Sequence, residues 1–437
     1  MIIPRLPVSP ESHRLITRQT LWLGTVTAVE VLGAVAHVFV AARLLGLEGY
    51  GALAIIVATT TLIHGLIAIP GGDTLTTFAT RSITEGRHQE AAAILRFSLA
   101  VSFGLSLVAY GAIALLTLTA SGILKIDESH AGAVMLYGLV GIFLATRTET
   151  LAVLRLADRL RANLACSVAD NATRLAVLGV AWFAGGDLLT VVSATVAGAA
   201  VGSVGMLVVA GIFARRAGLS EVFRSLSVRV PRDVVAFHAG TYGRTTIGVV
   251  TENVDTILVA QIAGTADVGL YRAARQIIDM TRRPFHLIRT SAQPVLSRQW
   301  FTGDGAALRG TLVRFATYSV LIAIVGFSVL AIFREPIAVL VLGPDFVDVA
   351  PLLLILIPGA FVASTSIFSG LPLATGRILP LIVSMLAGLV VTVLGIAWLV
   401  PLYLSTGAAW AKTTSSIVAV VVLVPFVVEI WRRSHRI

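Results

Sequence analysis

Arg43-Leu44-Leu45-Gly46-Leu47-Glu48-Gly49-Tyr50-Gly51 closes one apolar stretch and opens the next. Gly264-Thr265-Ala266-Asp267-Val268-Gly269 does the same 218 residues later, with the G-x4-G spacing kept. The register holds beyond these loops: Leu124 falls on Leu342, Gly141 and Phe143 on Gly359 and Phe361, Ala145 on Ala363, and Arg159 on Arg377. A constant offset without a gap over more than a hundred residues marks an internal duplication, so each half is one copy of the same unit.

That unit belongs in lipid. Hydrophobic residues make up 57% of the chain and charged residues 13%, where an ordinary soluble domain carries about 25% charged residues. Mean hydropathy is +0.91. Stretches such as 188–214 and 315–333 exceed the roughly 18 uncharged residues that read as a spanning helix. Twelve spans are expected, near 20–42, 51–70, 97–119, 131–152, 163–183, 188–213, 237–260, 268–290, 315–333, 350–371, 379–400 and 407–429. Pro351, Pro358 and Pro372 predict a kinked or broken tenth helix, and Pro401 with Ser405-Thr406-Gly407 divides the last two. The fold class is therefore an all-α polytopic membrane protein with two parallel six-helix lobes. The expected divisions are an N-terminal segment 1–19, lobes 20–213 and 237–429, a linker 214–236 and a tail 430–437. Residues 1–19 are polar and the first helix is long enough to stay in the bilayer, so no cleaved signal is expected.

Charge sets the orientation. The net charge is +10, but the basic residues sort by loop: 25 fall on one side, 3 (Arg43, Lys125 and Arg334) on the other, and 5 within spans. This asymmetry places both termini and the long loops in the cytoplasm, and it assigns the positive charge to membrane orientation, with no nucleic acid expected. The single cysteine, Cys166, excludes a disulfide framework and a thiolate cluster. No His/Cys/Asp set has metal-ligand spacing, and neither a cofactor nor a metal is expected. The short outer connections leave no room for an enzyme's catalytic loop; the longest runs from about residue 334 to 349.

Ionisable residues well inside spans carry the functional signal. They are Glu30, Asp170, Arg174, Arg244, Glu252, Asp255, Arg272, Arg275, Asp279 and Lys412, with His37 and Asp73 as weaker cases. Facing lipid, ten such charges would cost on the order of 25–35 kcal/mol, so they must meet one another or water. Arg244 and Asp255 share a face of the seventh helix, and Arg272, Arg275 and Asp279 form an i, i+3, i+7 stripe on the eighth. Glu30 and His37 share a face of the first helix, and His37 falls on Asp255 under the repeat. Charge should therefore gather where helices one, two, seven and eight meet. Asp170 and Arg174 are spaced as an i, i+4 pair, and Lys412 is expected to snorkel to the outer boundary. Arg282 and Arg283 read as cytoplasmic boundary charges.

These residues also carry a resemblance. The segment 43–51 resembles the R-x-L-G-x-x-x-Y-G signature of bacterial polysaccharide flippases, and Asp255-Thr256-Ile257-Leu258-Val259 followed by Gly264-x4-Gly269-Leu270-Tyr271-x-x-Ala274 resembles its second-lobe counterpart. Leu342-Gly343-Pro344-Asp345-Phe346 with Ala350-Pro351-Leu352-Leu353 resembles their segment between spans nine and ten. The likeness is to the polysaccharide branch of the multidrug/oligosaccharidyl-lipid/polysaccharide exporter superfamily. It implies a bacterial inner-membrane protein that moves undecaprenyl-pyrophosphate-linked oligosaccharide to the outer leaflet. Its partners would be membrane lipid, the lipid-linked substrate, and a polysaccharide polymerase with its export machinery. On this reading Arg244, Arg275, Arg174 and Arg272 hold the pyrophosphate, since planar guanidinium grips phosphate bidentately. Glu30, Asp255, Asp279 or Glu252 would couple an ion gradient. The rival readings are a multidrug-extrusion cation antiporter and a peptidoglycan-precursor flippase, and less so a membrane polymerase or glycosyltransferase.

Overall fold

The computed structural model describes residues 10–119, 128–214, 230–375, 377 and 379–434, and among them every regular element is helical. Seven stretches are long and apolar enough to cross a membrane. Two of these are helix pairs. Pro10–Ile67 is interrupted at Gly46, giving α1 (10–45) and α2 (47–67). Leu379–Ser434 is interrupted at Leu404, giving α11 (379–403) and α12 (405–434). Between them run α3 (His88–Thr119), α4 (Ala131–Leu144, resuming as Arg147–Leu156), α5 (Leu160–Ala184) and α6 (Leu188–Ala214). The second half continues with α7 (Arg232–Ala263), α8 (Thr265–Phe301), α9 (Gly305–Ile332) and α10 (Val349–Thr365). The twelve principal helices match the expected spans in order. α7 and α8 are absent from the apolar seven, and they are the two that carry Glu252, Asp255, Arg272, Arg275 and Asp279.

Local differences have plain causes. α10 runs unbroken through Pro358 and ends at Thr365, before Pro372; the break expected from the prolines falls at Ser366, followed by the short turn Ile367–Gly370. The segment 72–84, expected as loop, forms helical turns including the π-helical stretch Leu75–Ala79. Arg334–Leu342, expected as a connection, is a nine-residue helix. The turn from α5 to α6 uses Gly185 in the left-handed region and Asp187 as a cap. The Thr190 hydroxyl and N–H bonded to Asp187 hold its carboxyl below the usual carboxylate value. The expected linker 214–236 lies mostly in residues 215–229, which are outside the described ones, as are residues 1–9 and 435–437 of the expected termini.

The duplication is visible in the backbone. Gly46 (φ 65°, ψ −172°) and Gly264 (φ 90°, ψ −179°) break their helices in nearly the same conformation, one that a residue with Cβ rarely adopts. Five residues on, Gly51 and Gly269 face each other: a Cβ on Gly51 would lie 1.9 Å from the Thr265 carbonyl oxygen, and one on Gly269 would lie 2.5 Å from that of Leu47. Leu47 and Thr265 are themselves repeat mates, so the contact is reciprocal, as a two-fold relation requires. The lobes are held together at this end by two further contacts. Arg43 donates to the carbonyls of Val339, Leu340 and Val341 at 3.1, 2.8 and 3.1 Å. Tyr50 meets Phe346 edge-on at 5.7 Å. Within the second lobe, Asp267 accepts the Ser405 N–H at 3.1 Å and ties the start of α8 to the break before α12.

Burial is arranged for lipid. Ser98, Ser102 and Ser106 line the inner face of α3 one turn apart, where small side chains let helices approach closely. Large apolar residues point outward, among them Phe183 and Trp398, which are 91% and 72% exposed. A protein in water would not leave so many uncovered. The basic asymmetry makes the orientation testable: reporters fused after Arg87 and Arg436 should read cytoplasmic, and one after Lys125 external. A C-terminal reporter on the external face would overturn the assignment.

Candidate functional site

The chain turns from α7 into α8 at Gly264, so residues about equally distant from it lie at similar depth. Asp255 is nine residues before the turn and Tyr271 and Arg275 seven and eleven after, about 11–17 Å along their helices. They meet. Asp255 is fully buried and accepts from the Arg275 guanidinium, from the Tyr271 hydroxyl at 2.9 Å and from the Thr256 N–H at 2.7 Å. Lys412 of α12 lies 3.4 Å from the same carboxylate and donates to the Thr251 carbonyl at 3.3 Å. Its expected path to the boundary is therefore corrected: Lys412 turns inward, because a buried carboxylate is a better partner than distant water. Arg275 also approaches Asp279 at 3.6 Å, and Asp279 approaches Arg282 at 3.7 Å, continuing the α8 stripe.

Beside this cluster lies a cavity of about 500 Å³. Arg272, Arg275, Arg282, Arg289 and Lys412 line it against the carboxylates Glu252 and Asp279, with Val57 and Thr61 of α2 on the opposite wall. An adjoining cavity of about 240 Å³ adds Arg283, His286 and Ser364. The wall is net positive. Arg272 is half-buried and has no hydrogen bond or ion pair among the described residues. Arg282 and Arg283, read from sequence as boundary charges, face the cavities instead. The sequence carried a signal for this, since Arg275, Asp279, Arg282 and Arg289 share a helical face. The side chain of Arg244 lies outside the described residues.

The first-lobe charges form a separate cluster. Arg147 reaches Glu30 and Asp170, both at 3.2 Å, and Arg174 reaches Asp170 at 3.0 Å. Two carboxylates thus balance two guanidiniums, and none of the four lines the cavity of the second lobe. The expectation that Arg174 and Glu30 would join Arg244, Arg275 and Asp255 is corrected: α5 and α1 pack within the first lobe and turn these side chains toward Arg147. Sequence reasoning placed Arg147 on the cytoplasmic side and missed its role. The helix break at Ala145–Thr146 directs it inward.

The repeat extends to the cavities. A first-lobe cavity of about 310 Å³ is lined by Thr61, His64, Gly65, Ala68, Ala145 and Thr148. Adding 218 to each number gives Asp279, Arg282, Arg283, His286, Ala363 and Ser366, all of which line the 240 Å³ cavity. One backbone hollow occurs twice, neutral in the first lobe and arginine-rich in the second.

A family model described as polysaccharide biosynthesis protein matches residues 16–300. The chain belongs to the polysaccharide biosynthesis protein family. A search of curated proteins finds no match. Among solved structures, this family member is similar to the inward-facing conformation of a multidrug resistance MATE family transporter of the MOP superfamily. The TM-score is 0.75 at 12% identity, covering 93% of this chain and 96% of that one. The outward-facing conformation of such a transporter gives 0.65 at 13% identity, covering 97% and 96%. A MOP superfamily transporter from Pyrococcus furiosus, described as having a binding pocket of reverse polarity that suggests a different function, gives 0.63 at 14%, covering 96% of each chain. The polysaccharide biosynthesis protein thus has the fold of these transporters.

Proposed function

We propose that this chain is a flippase that carries undecaprenyl-pyrophosphate-linked oligosaccharide across the cytoplasmic membrane for surface polysaccharide assembly. The observation that supports it is the net-positive cavity between α7, α8 and α12, with Arg272 free to take a ligand anion. A pyrophosphate crossing lipid must exchange its hydration for fixed donors, and guanidinium supplies them in a planar fork. Arg272, Arg282 and Arg289 hold the anion, Arg244 remains a further candidate, and the apolar tail stays in the bilayer. Arg275 acts from behind: its charge is engaged by Asp255. With the termini cytoplasmic, the Gly46/Gly264 end is the outer one, and its closure agrees with the nearer likeness to an inward-facing transporter. Asp279 and Glu252 line the cavity, Asp279 beside Arg275 and Arg282, and are the carboxylates placed to sense the anion, whereas Glu30 and Asp255 are paired away from it.

The multidrug-antiporter reading requires a cationic drug to enter a wall of arginines, and like charges at low dielectric repel strongly. The deciding test is polysaccharide export in a flippase-deficient host. Arg272→Ala combined with Arg282→Ala should lower export about ten-fold or more at normal membrane level, since each charged hydrogen bond is worth about 1.5–3 kcal/mol. The double lysine variant should recover part. Wild-type export from the alanine pair would overturn the assignment.

A further inference from the structure

Nearly every buried ionised group described above has an opposite charge beside it; Glu149 does not. It is wholly buried, and its described partners are neutral donors. The Gly71 N–H donates to Oε1 at 2.8 Å, the Ser102 hydroxyl donates to the same oxygen, and the Thr148 hydroxyl donates to Oε2 at 2.9 Å. The charged or titratable groups on the elements around it are otherwise engaged or set apart. Arg147 on its own helix pairs with Glu30 and Asp170. Arg155 faces Asp73. His64 of α2 contacts Ser106 at 3.3 Å, and His238 of α7 contacts Thr74 at 3.0 Å. Arg96 of α3 forms no ion pair with it among the described residues.

The surroundings are built around a break in the helical backbone. Residues 68–71 are the non-helical break after α2, and the Ile69 carbonyl, 3.0 Å from the Ser102 hydroxyl, competes with Glu149 for its one proton. Ser98 is fully buried and its hydroxyl has no partner among the described residues. A Cβ on Gly71 would lie 3.2 Å from Ser98 Oγ and 2.8 Å from Glu149 Oε1, so both oxygens flank one backbone position. Ser102 and Thr148 line the 310 Å³ cavity and each bonds the carboxylate, so a single layer of hydroxyl side chains separates Glu149 from that cavity.

We propose that Glu149 is a proton-binding site of the transport cycle, loaded from water in the first-lobe cavity and tied to the break at Gly71. A carboxylate without a counter-charge in this setting is held only by neutral donors, and a proton is the smallest charge that relieves it. It is a single carboxylate, whereas a divalent metal site gathers several acidic or imidazole ligands, and no metal-binding trio occurs among the described residues. The proton adds to a carboxylate oxygen, the new O–H donates to Ser98 Oγ, and the neutral acid releases its grip on the Gly71 N–H. Deprotonation into the cavity reverses these steps. The inference rests on the reading of the chain as a gradient-driven transporter, but not on the identity of the cargo.

The test is infrared difference spectroscopy of the full chain in liposomes, titrated from pH 5 to 8 with no substrate present. A protonated-carboxyl stretch should grow as pH falls. It should move on labelling with ¹³C-glutamate and stay put with ¹³C-aspartate. Glu149→Gln should abolish it, and Ser102→Ala should change its frequency. Glu30→Gln and Glu252→Gln should leave it. The labelling arm needs no variant, so a misfolded Glu149→Gln does not obscure the result. No titrating glutamate band, or a band that survives in folded Glu149→Gln, overturns the site. Failure of the export test with the glutamate band intact would instead remove only the cargo assignment.

Discussion

Asp255→Leu should collapse the membrane level of the protein and lower its thermal stability in detergent more than any other single substitution on α7. The carboxylate is fully buried and answers two cations, Arg275 and Lys412, while also accepting from Tyr271. Removing it leaves both cations without their main partner in a low-dielectric interior, which costs about 3–5 kcal/mol by the behaviour of broken buried pairs. Against a total stability of about 5–15 kcal/mol, that is a large share. Asp255→Asn should do less harm, because an amide still accepts from Tyr271 and Thr256. Adding Arg275→Met and Lys412→Met to Asp255→Leu should restore much of the stability but not export. The measurement is a thermal melt across the variant set, read as a mutant cycle. A single Asp255→Leu variant that melts with the wild type would show that the cluster contributes nothing to the fold.

The second large effect belongs to the lobe junction. Gly51→Ala sets a methyl 1.9 Å from the Thr265 carbonyl oxygen, where a carbon normally stands about 3.3 Å or more from a carbonyl oxygen. Both sides are backbone, so no side chain can swing aside and the lobes must part. The neighbouring glycines give an internal scale. At Gly49 a Cβ would meet only the Leu45 side chain at 3.0 Å, and at Gly46 it would meet nothing, although the positive φ of 65° strains it. The expected order of damage is Gly51→Ala, then Gly46→Ala at about 1–2 kcal/mol, then Gly49→Ala. In a Cys166→Ser background, cysteines at Tyr50 and Phe346, whose rings meet at 5.7 Å, should be bridged by a short bifunctional thiol reagent that spans the space the two rings fill, and Gly51→Ala should suppress the cross-link while each lobe stays folded. Equal cross-linking in the Gly51→Ala and Gly49→Ala variants would mean that the close approach does not hold the lobes together.

Much of this fold is written along the chain. Long apolar runs in lipid have helix as their only open-ended solution, because every peptide group must find its partner within the segment. The duplication is legible in Gly46 and Gly264 because only glycine accepts their backbone, and the break near Ser405 is announced by the surrounding turn residues. The stripe Arg272, Arg275 and Asp279 is equally legible, since ionised groups inside a span are too costly to be incidental. Helical spacing shows which face a charge occupies, but it does not show which helix arrives opposite that face. Tertiary packing alone decided that Lys412 meets Asp255 across α7 and α12 and that Arg147 draws Glu30 and Asp170 away from the cavity. It also decided that Glu149 is sealed among hydroxyls. Glu30, Arg147, Asp170 and Arg174 fall on Gly248, Thr365, Gly388 and Thr392 under the repeat, so even the duplicated register does not announce their cluster. Backbone conformation is a local property that each residue's own sterics impose. Charge pairing is a property of two surfaces, and it exists only once those surfaces are brought together.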